Sequence, residues 1–244
     1  MAEQALQLAN KKLNLMGSMT RHDSLNQLAA IMGWLDLVAE DVKGETVQKY
    51  LNRMRQAAVT IERQLEFTAD YQSVGVEKPV WIDIGRSSQD VFSGLDLSGF
   101  EVKHDHGHNY ELFADSMLPK VFRNILDNTL RHGEGATTVT VTIRETTGGL
   151  SIVYEDDGVG VPLDVKEKIF EKGFGKHTGL GLYLAREVLA ITGIKIVENG
   201  IPGKGARFEI TVPHGAFRRS SLPSVDQAAR HAPKDLILGP RSRP

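Results

Sequence analysis

The sequence predicts a two-part chain of α plus α/β class. An antiparallel helical hairpin, paired with a second copy as a dimeric four-helix bundle, precedes a layered sheet with helices on one face. Three observations point there. Residues 2–42 and 47–68 carry apolar residues at helical spacing and contain no proline. Beyond Pro79 the pattern changes to short β-branched and aromatic runs alternating with helical ones. The length of 244 residues suffices for one large domain or two smaller ones.

The first helix places Leu6, Ala9, Leu13 and Met16, then Leu25, Leu28, Met32, Leu35, Ala39 and Val42, on one stripe. Its two halves are out of phase by about two residues, and the slip falls between Gly17 and Ser24, beside His22. A change of helix packing is therefore expected around His22. Lys43-Gly44-Glu45 reads as a tight turn. The second helix repeats Val47, Leu51, Met54, Ala58, Ile61, Leu65 and Thr68 in a heptad-like pattern. Two such helices leave apolar surface open, and a second copy closes it as a four-helix bundle. The alternative is packing against the rest of the same chain.

Residues 74–79 read as a linker. Strands are predicted at 81–84, 100–104, 110–113, 138–144, 150–155, 195–198 and 206–212 from β-branched and aromatic content. Helices are predicted at 85–93, 116–131, 163–170 and 180–191. The domains are then 1–75 and 76–213, with 214–244 a mostly disordered tail rich in Arg, Ser, Pro and Ala.

Composition narrows the function classes. The 41% hydrophobic and 25% charged fractions fit a soluble globular protein. A net charge of -2 argues against a nucleic-acid partner. The absence of cysteine excludes disulfides and thiolate zinc sites. No apolar run approaches the ~20 residues a bilayer requires, so no membrane segment is read in this chain and a cytoplasmic location is expected.

Three motifs carry chemistry. Asn124 and Asn128 lie four apart on one predicted helix and share a face. Their amide oxygens suit Mg²⁺, which takes oxygen ligands and keeps several waters. A solvated helix face is the plain alternative. Asp156-Asp-Gly158-Val-Gly160 ends a strand, where a carboxylate can accept a hydrogen bond from an adenine amine and glycines let backbone approach a flat base. An ordinary Asp-Gly turn is the alternative. The run Lys176-His177-Thr178-Gly179-Leu180-Gly181 opens a helix whose N-terminal N–H groups suit an anion. It fits neither the phosphate-loop pattern nor the dinucleotide fingerprint. His104-Asp105-His106-Gly107-His108 is dense in metal-ligand residues, but it reads better as an exposed hairpin turn than as a zinc or nickel site.

Taken in order, Asn124/Asn128, Asp156-x-Gly158-x-Gly160, Phe170/Phe174, Gly179-x-Gly181 and Gly203-x-Gly205 resemble the N, G1, F, G2 and G3 boxes of the GHKL ATPase superfamily. Upstream, Arg21-His22-Asp23-x-x-Asn26-Gln27-Leu28 resembles the phosphoacceptor box of sensor histidine kinases, with the variant most similar to archaeal members. The resemblance covers about residues 5–213. It implies a dimerisation and phosphotransfer hairpin followed by a GHKL-type α/β sandwich that binds ATP.

By the same resemblance His22 is the phosphoacceptor, and Asp23 the general base beside it. Asn26 orients water for dephosphorylation of the partner. Asn128, and less directly Asn124, hold Mg²⁺ and the phosphates. Asp156 reads adenine, while Gly158, Gly160, Gly179 and Gly181 shape pocket and lid. Lys176, His177, Thr178 and Leu180 complete the lid segment, and Arg131 is a basic phosphate contact. His132 stands where the family commonly has an aromatic residue. The Gly160–Gly179 stretch is short for the family, which suggests a trimmed lid. An imidazole with an ordinary pKa of about 6.5 is a nucleophile near neutrality, and phosphoryl transfer needs mainly alignment and charge neutralisation.

The function so implied is a sensor histidine kinase core that autophosphorylates His22 as a homodimer and passes the phosphoryl group to the receiver domain of a response regulator. The alternatives are a GHKL ATPase without histidine phosphorylation and a non-catalytic signalling scaffold.

Overall fold

The structure, a computed structural model, describes residues 2–42, 44–94, 97, 99–106, 109–175 and 179–220. Helix α1 (Ala2–Asp41) runs unbroken through the phase slip, and α2 (Glu45–Ser73) returns antiparallel to it. Leu28 and Leu35 of α1 and Leu51 and Ala58 of α2 are buried. Their spacing of seven in each helix forms the seam of the hairpin. Arg55 pairs with Asp36, Arg21 reaches Gln72 at 3.3 Å, and together they fix the register. The last carbonyls of a helix lack intrahelical partners. Here the Gln48 amide donates to the Ala39 and Val42 oxygens at 3.0 and 2.9 Å and so closes the end of α1.

The predicted α2 stripe divides. Leu51 and Ala58 face α1, whereas Val47, Met54 and Ile61 are exposed. Ile31, Trp34, Leu37 and Val38 of α1 are exposed too, Trp34 at 68%. A second apolar face therefore remains open on the single chain.

The remaining elements are β1 (Val80–Asp83), α3 (Ile84–Ser93), β2 (Glu101–His106), β3 (Tyr110–Ala114), α4 (Leu118–His132), β4 (Thr138–Thr146), β5 (Gly149–Asp156), α5 (Gly181–Ala190), β6 (Lys195–Glu198), β7 (Arg207–Val212) and β8 (Phe217–Arg219). Among the described residues the strands form a five-stranded mixed sheet, order β2-β4-β5-β7-β6, and a three-stranded sheet, order β1-β3-β8. Helices α3, α4 and α5 share one core with the larger sheet. Alternate residues point to that core. Ile143, Ile152, Ile210 and Ile196 stand opposite one another across four strands and are all buried.

Three sequence expectations change. Residues 163–170 form two short 3₁₀ turns, Leu163–Val165 and Lys168–Phe170, instead of one helix. Leu163 is 75% exposed and Phe170 is buried, so one aromatic anchors the segment where an amphipathic helix needs a stripe. His104-Asp105-His106 belongs to β2 and is not a turn; β2 and β3 lie in different sheets, so they make no hairpin. Gly107 and His108 lie outside the described residues. Finally, β8 falls within the stretch read as a disordered tail. It pairs with β3 and is held by Ser220 N–H donating to the Asn109 oxygen at 2.9 Å. Among the described residues no helix is long and apolar enough to cross a membrane.

Candidate functional site

A cavity of about 550 Å³ opens between α4, the segment from Gly160 to Ile169, the Phe174–Gly175 loop and the start of α5. From α4 it is lined by Asn124, Asp127, Asn128, Arg131 and His132. These positions recur every three or four residues, and the opposite face of α4 buries Val121, Phe122, Ile125 and Leu126 in the core. The amphipathic pattern that builds the core therefore also aims the polar face at the cavity.

Asn124 is partly committed. Its amide donates to the Gly181 oxygen at 2.9 Å and ties α4 to the first turn of α5. Arg131 is paired with Asp127 at 2.6 Å, one turn back along the same helix. Asn128 also lines the cavity. Asn124, Asn128 and Asp127 offer only oxygen and amide groups, and among the described residues no cluster of three His, Cys, Asp or Glu could cage a metal. That donor set fits Mg²⁺, which is held by few protein oxygens together with water and phosphate.

Asp156 ends β5 with a buried carboxylate. Its Oδ2 accepts from Thr129 Oγ at 2.6 Å, and its Oδ1 accepts from the N–H groups of Gly158 at 3.0 Å and Ala206 at 2.9 Å. A carboxylate has about four acceptor positions, so one is left. The Tyr154 hydroxyl donates to Thr129 at 3.4 Å, and burial pushes that phenol far above its ordinary value. Neighbouring Asp157 fastens the same loop to β4. Its carboxylate accepts from the N–H groups of Thr137 and Thr138 at 2.7 and 2.8 Å, and these bonds hold it at about 2, below the usual carboxylate range.

The glycines earn their places by close approach. A Cβ on Gly158 would lie 2.8 Å from the Gly133 Cα at the end of α4. Gly205 adopts φ +111°, which side chains disfavour, and a Cβ there would lie 1.8 Å from the Asp156 oxygen.

Of the sequence-predicted residues, the cavity brings together Asn124, Asn128, Arg131, His132, Gly160, Gly179, Leu180 and Gly181. Asp156 does not line it; it lines a second depression of about 400 Å³ with Asn199, Gly200, Lys204 and Gly205. Lys176, His177 and Thr178 lie outside the described residues. His22, Asp23 and Asn26 are on α1 and outside the lining. The His22 side chain is 74% exposed. Its Nδ1 lies 3.4 Å from the Asp23 carboxylate and 3.3 Å from the Asn26 amide nitrogen. A protonated Nδ1 donates to Asp23, whereas a bare one accepts from Asn26, so the tautomer chooses between them.

Sequence reasoning missed Asp127, Glu134, Phe174 as a wall, and above all Arg63, which reaches the cavity from α2. The i, i+3 relation to Asn124 could have flagged Asp127. Nothing local marks Arg63. Helix α2 docks on the sheet domain through Phe67, Tyr71 and Tyr183, whose ring centroids lie 5.6, 6.4 and 6.1 Å apart. Lys120 pairs with Asp70 at 2.9 Å, and Gly75 N–H donates to the buried Asp115 carboxylate at 2.9 Å. A hydrogen bond with Tyr71 pushes the Tyr183 phenol up to about 12.

Comparison with known proteins agrees with this geometry. Residues 115–216 match the family described as histidine kinase-, DNA gyrase B-, and HSP90-like ATPase. The alginate biosynthesis sensor protein KinB of Pseudomonas aeruginosa is 34% identical over 101 residues, covering 39% of this chain and 17% of that protein. The sensor-like histidine kinase SenX3 of Mycolicibacterium smegmatis is 27% identical over 128 residues, covering 48% and 33%. The chain thus spans a third or less of the length of these two relatives. Among solved structures, full-length ShkA in complex with AMPPNP superposes with a TM-score of 0.61 at 21% identity, over 85% of this chain and 47% of that one. The Acinetobacter baumannii histidine kinase AdeS superposes at 0.53 and 16% identity, over 78% and 97%. These likenesses show the fold, helices plus a mixed α/β sheet. The family match and the sequence relatives support a histidine kinase catalytic core.

Proposed function

We propose that this chain is the kinase core of a two-component sensor. It binds Mg²⁺-ATP in the cavity beside α4 and α5, autophosphorylates His22, and passes the phosphoryl group to an aspartate on a response regulator receiver domain. One observation carries the reading: an ATPase-family cavity built by the ordered motifs shares a chain with an exposed histidine whose Nδ1 is engaged by its neighbours.

The chemistry follows from the geometry. When Nδ1–H donates to Asp23, the lone pair of Nε2 is the free nucleophile. It attacks the γ-phosphorus, an N–P bond forms, the bond to the β-phosphate oxygen breaks, and ADP leaves. Asp23 stabilises the imidazolium that results. Asp156 lines the second depression, which meets the cavity where Gly160 packs on Gly205, and there it accepts from the adenine amine through its remaining acceptor position. The N-terminus of α5 places its first N–H groups toward the phosphates. Asn128, with Asn124 supporting it, would hold Mg²⁺, which supplies charge neutralisation on the transferring phosphoryl group. Asn26, one turn after His22, orients water for dephosphorylation of the regulator.

The open apolar face of Ile31, Trp34, Leu37, Val38, Val47, Met54 and Ile61 is the surface a second copy covers, which makes the active form a homodimer. The hairpin of residues 1–75 is its dimerisation and phosphotransfer domain, and the ATP-binding domain begins at 76.

Incubation with γ-labelled ATP and Mg²⁺ tests the proposal on the wild type and His22→Gln. An acid-labile, base-stable label present only in the wild type is expected. Hydrolysis without label would assign a GHKL ATPase instead, and failure to bind nucleotide would assign a scaffold.

A further inference from the structure

We infer that Arg63, on the phosphoacceptor hairpin, is a binding residue for the phosphate chain of the nucleotide, so that the nucleotide site is completed by α2. The inference rests on the ATP reading of the cavity and adds to it a residue from outside the ATPase domain.

Three observations support it. The first is position. Arg63 lines the same cavity as Asn124, Asn128 and Gly181. It lies one helical turn before Phe67, whose ring sits 6.4 Å from that of Tyr183 in the first turn of α5. Residues four apart on a helix share a face. Arg63 is therefore carried to the N-terminal end of α5, where an anion is favoured.

The second is charge. Besides His132, the charged groups among the described lining residues are Arg63, Arg131, Asp127 and Glu134. Arg131 is already held by Asp127 at 2.6 Å. Without Arg63 the described lining would be net negative and would repel a triphosphate. No ion-pair partner of Arg63 is found among the described residues, so its guanidinium is available to phosphate oxygens, which it can grip with two parallel bonds.

The third is register. The Arg21–Gln72 and Asp36–Arg55 contacts set His22 opposite the stretch of α2 between Phe67 and Tyr71. Arg63 is about two turns from that level, roughly 9–12 Å along the axis at ~1.5 Å per residue. The one cation that α2 contributes to the described lining thus stands about two turns along the hairpin from the level of the acceptor histidine.

The full chain tests this through phosphate-dependent affinity. Calorimetric titration gives the ATP Kd, and displacement of a fluorescent nucleotide gives that of AMP, for wild type, Arg63→Ala and Arg63→Lys. Arg63→Ala should weaken ATP about tenfold, as expected for loss of a charge-assisted hydrogen bond, and change AMP less than about twofold. Arg63→Lys keeps the charge without the planar fork and should recover part of the loss. Equal weakening of ATP and AMP would mark a packing effect and overturn the inference. So would unchanged ATP affinity in Arg63→Ala. If the wild type itself bound no ATP, the reading of the cavity would fall first, which separates the two failures.

Discussion

Replacing Asp156 by Asn is expected to separate nucleotide recognition from stability. The carboxylate accepts three hydrogen bonds, from Gly158 N–H at 3.0 Å, Ala206 N–H at 2.9 Å and Thr129 Oγ at 2.6 Å. An asparagine with its oxygen on the Oδ1 side keeps both backbone donors. Its NH₂ then faces Thr129, whose hydroxyl can turn to accept. The protein exchanges one charge-assisted bond for a neutral one, a loss of about 1 kcal/mol, which lowers Tm by roughly 2–4 °C in a protein of this size. The adenine side fares worse. The one remaining acceptor becomes a second N–H of the amide, so donor meets donor. Losing that bond and leaving both groups unpaired costs ~1.5–3 kcal/mol, or roughly 10–150-fold in ATP affinity. An inosine triphosphate, with a carbonyl in place of the amine, should lose much less. Thermal denaturation and calorimetry with both nucleotides read these quantities. A variant that bound ATP like the wild type, or one that lost both nucleotides together with a large fall in Tm, would refute the assignment of Asp156 as the purine reader.

Asn26→Ala should abolish dephosphorylation of the phosphorylated regulator while autophosphorylation of His22 stays within a few-fold; unchanged dephosphorylation in a phosphate-release assay would count against the role. Ile31→Glu places a charge on the open apolar face and should shift the chain from dimer to monomer in sedimentation velocity, with helix content retained. Asp157→Asn should flatten the acid limb of the stability curve. The folded pKa of Asp157 is lowered to about 2, so its contribution is present above the ordinary carboxylate value of 3.8 and is lost as pH falls through about 2. Urea midpoints measured between pH 5 and 2 check this, and parallel curves for variant and wild type would exclude it.

The elements legible in the sequence are those whose own periodicity matches their burial. Helix α4 shows Val121, Phe122, Ile125 and Leu126 at helical spacing, and β4 and β7 alternate as half-buried strands. The site residues on α4 were legible for the same reason, since a helix with one buried face must present the other. Strand β8 carries no such signal. Only Phe217 is partly buried there, and its two arginines are exposed, so the strand exists because β3 offers a free edge. The 163–170 segment has helical composition, yet it has only one fully buried residue to hold it. Arg63 sits at an ordinary surface position of a heptad helix, and only the docking of α2 on the sheet domain gives it a role. Each miss is a tertiary effect that no local window contains.

That docking also bears on how the reaction is controlled. His22 is exposed and outside the cavity, so the proposed transfer would require the ATP domain to move relative to the hairpin or to face a neighbouring one. Among the described residues, α2 and the segment after it are held to the sheet domain by an ion pair, aromatic contacts and one hydrogen bond to a carboxylate. The Lys120–Asp70 pair is half-exposed and contributes about 0–1 kcal/mol. Each aromatic contact among Phe67, Tyr71 and Tyr183 contributes ~0.5–1.5 kcal/mol beyond burial, and the Gly75–Asp115 bond ~1.5–3 kcal/mol as a bond to a charged group. Together, about 3–8 kcal/mol before the burial of Phe67 and Val74, these contacts define a docked state whose population a ligand can shift. With Arg63 on the docked helix, nucleotide would favour that state through the phosphate chain. Release of ADP would then loosen the same contacts. On the proposed reading, the hairpin that carries His22 would also sense whether the cavity is filled.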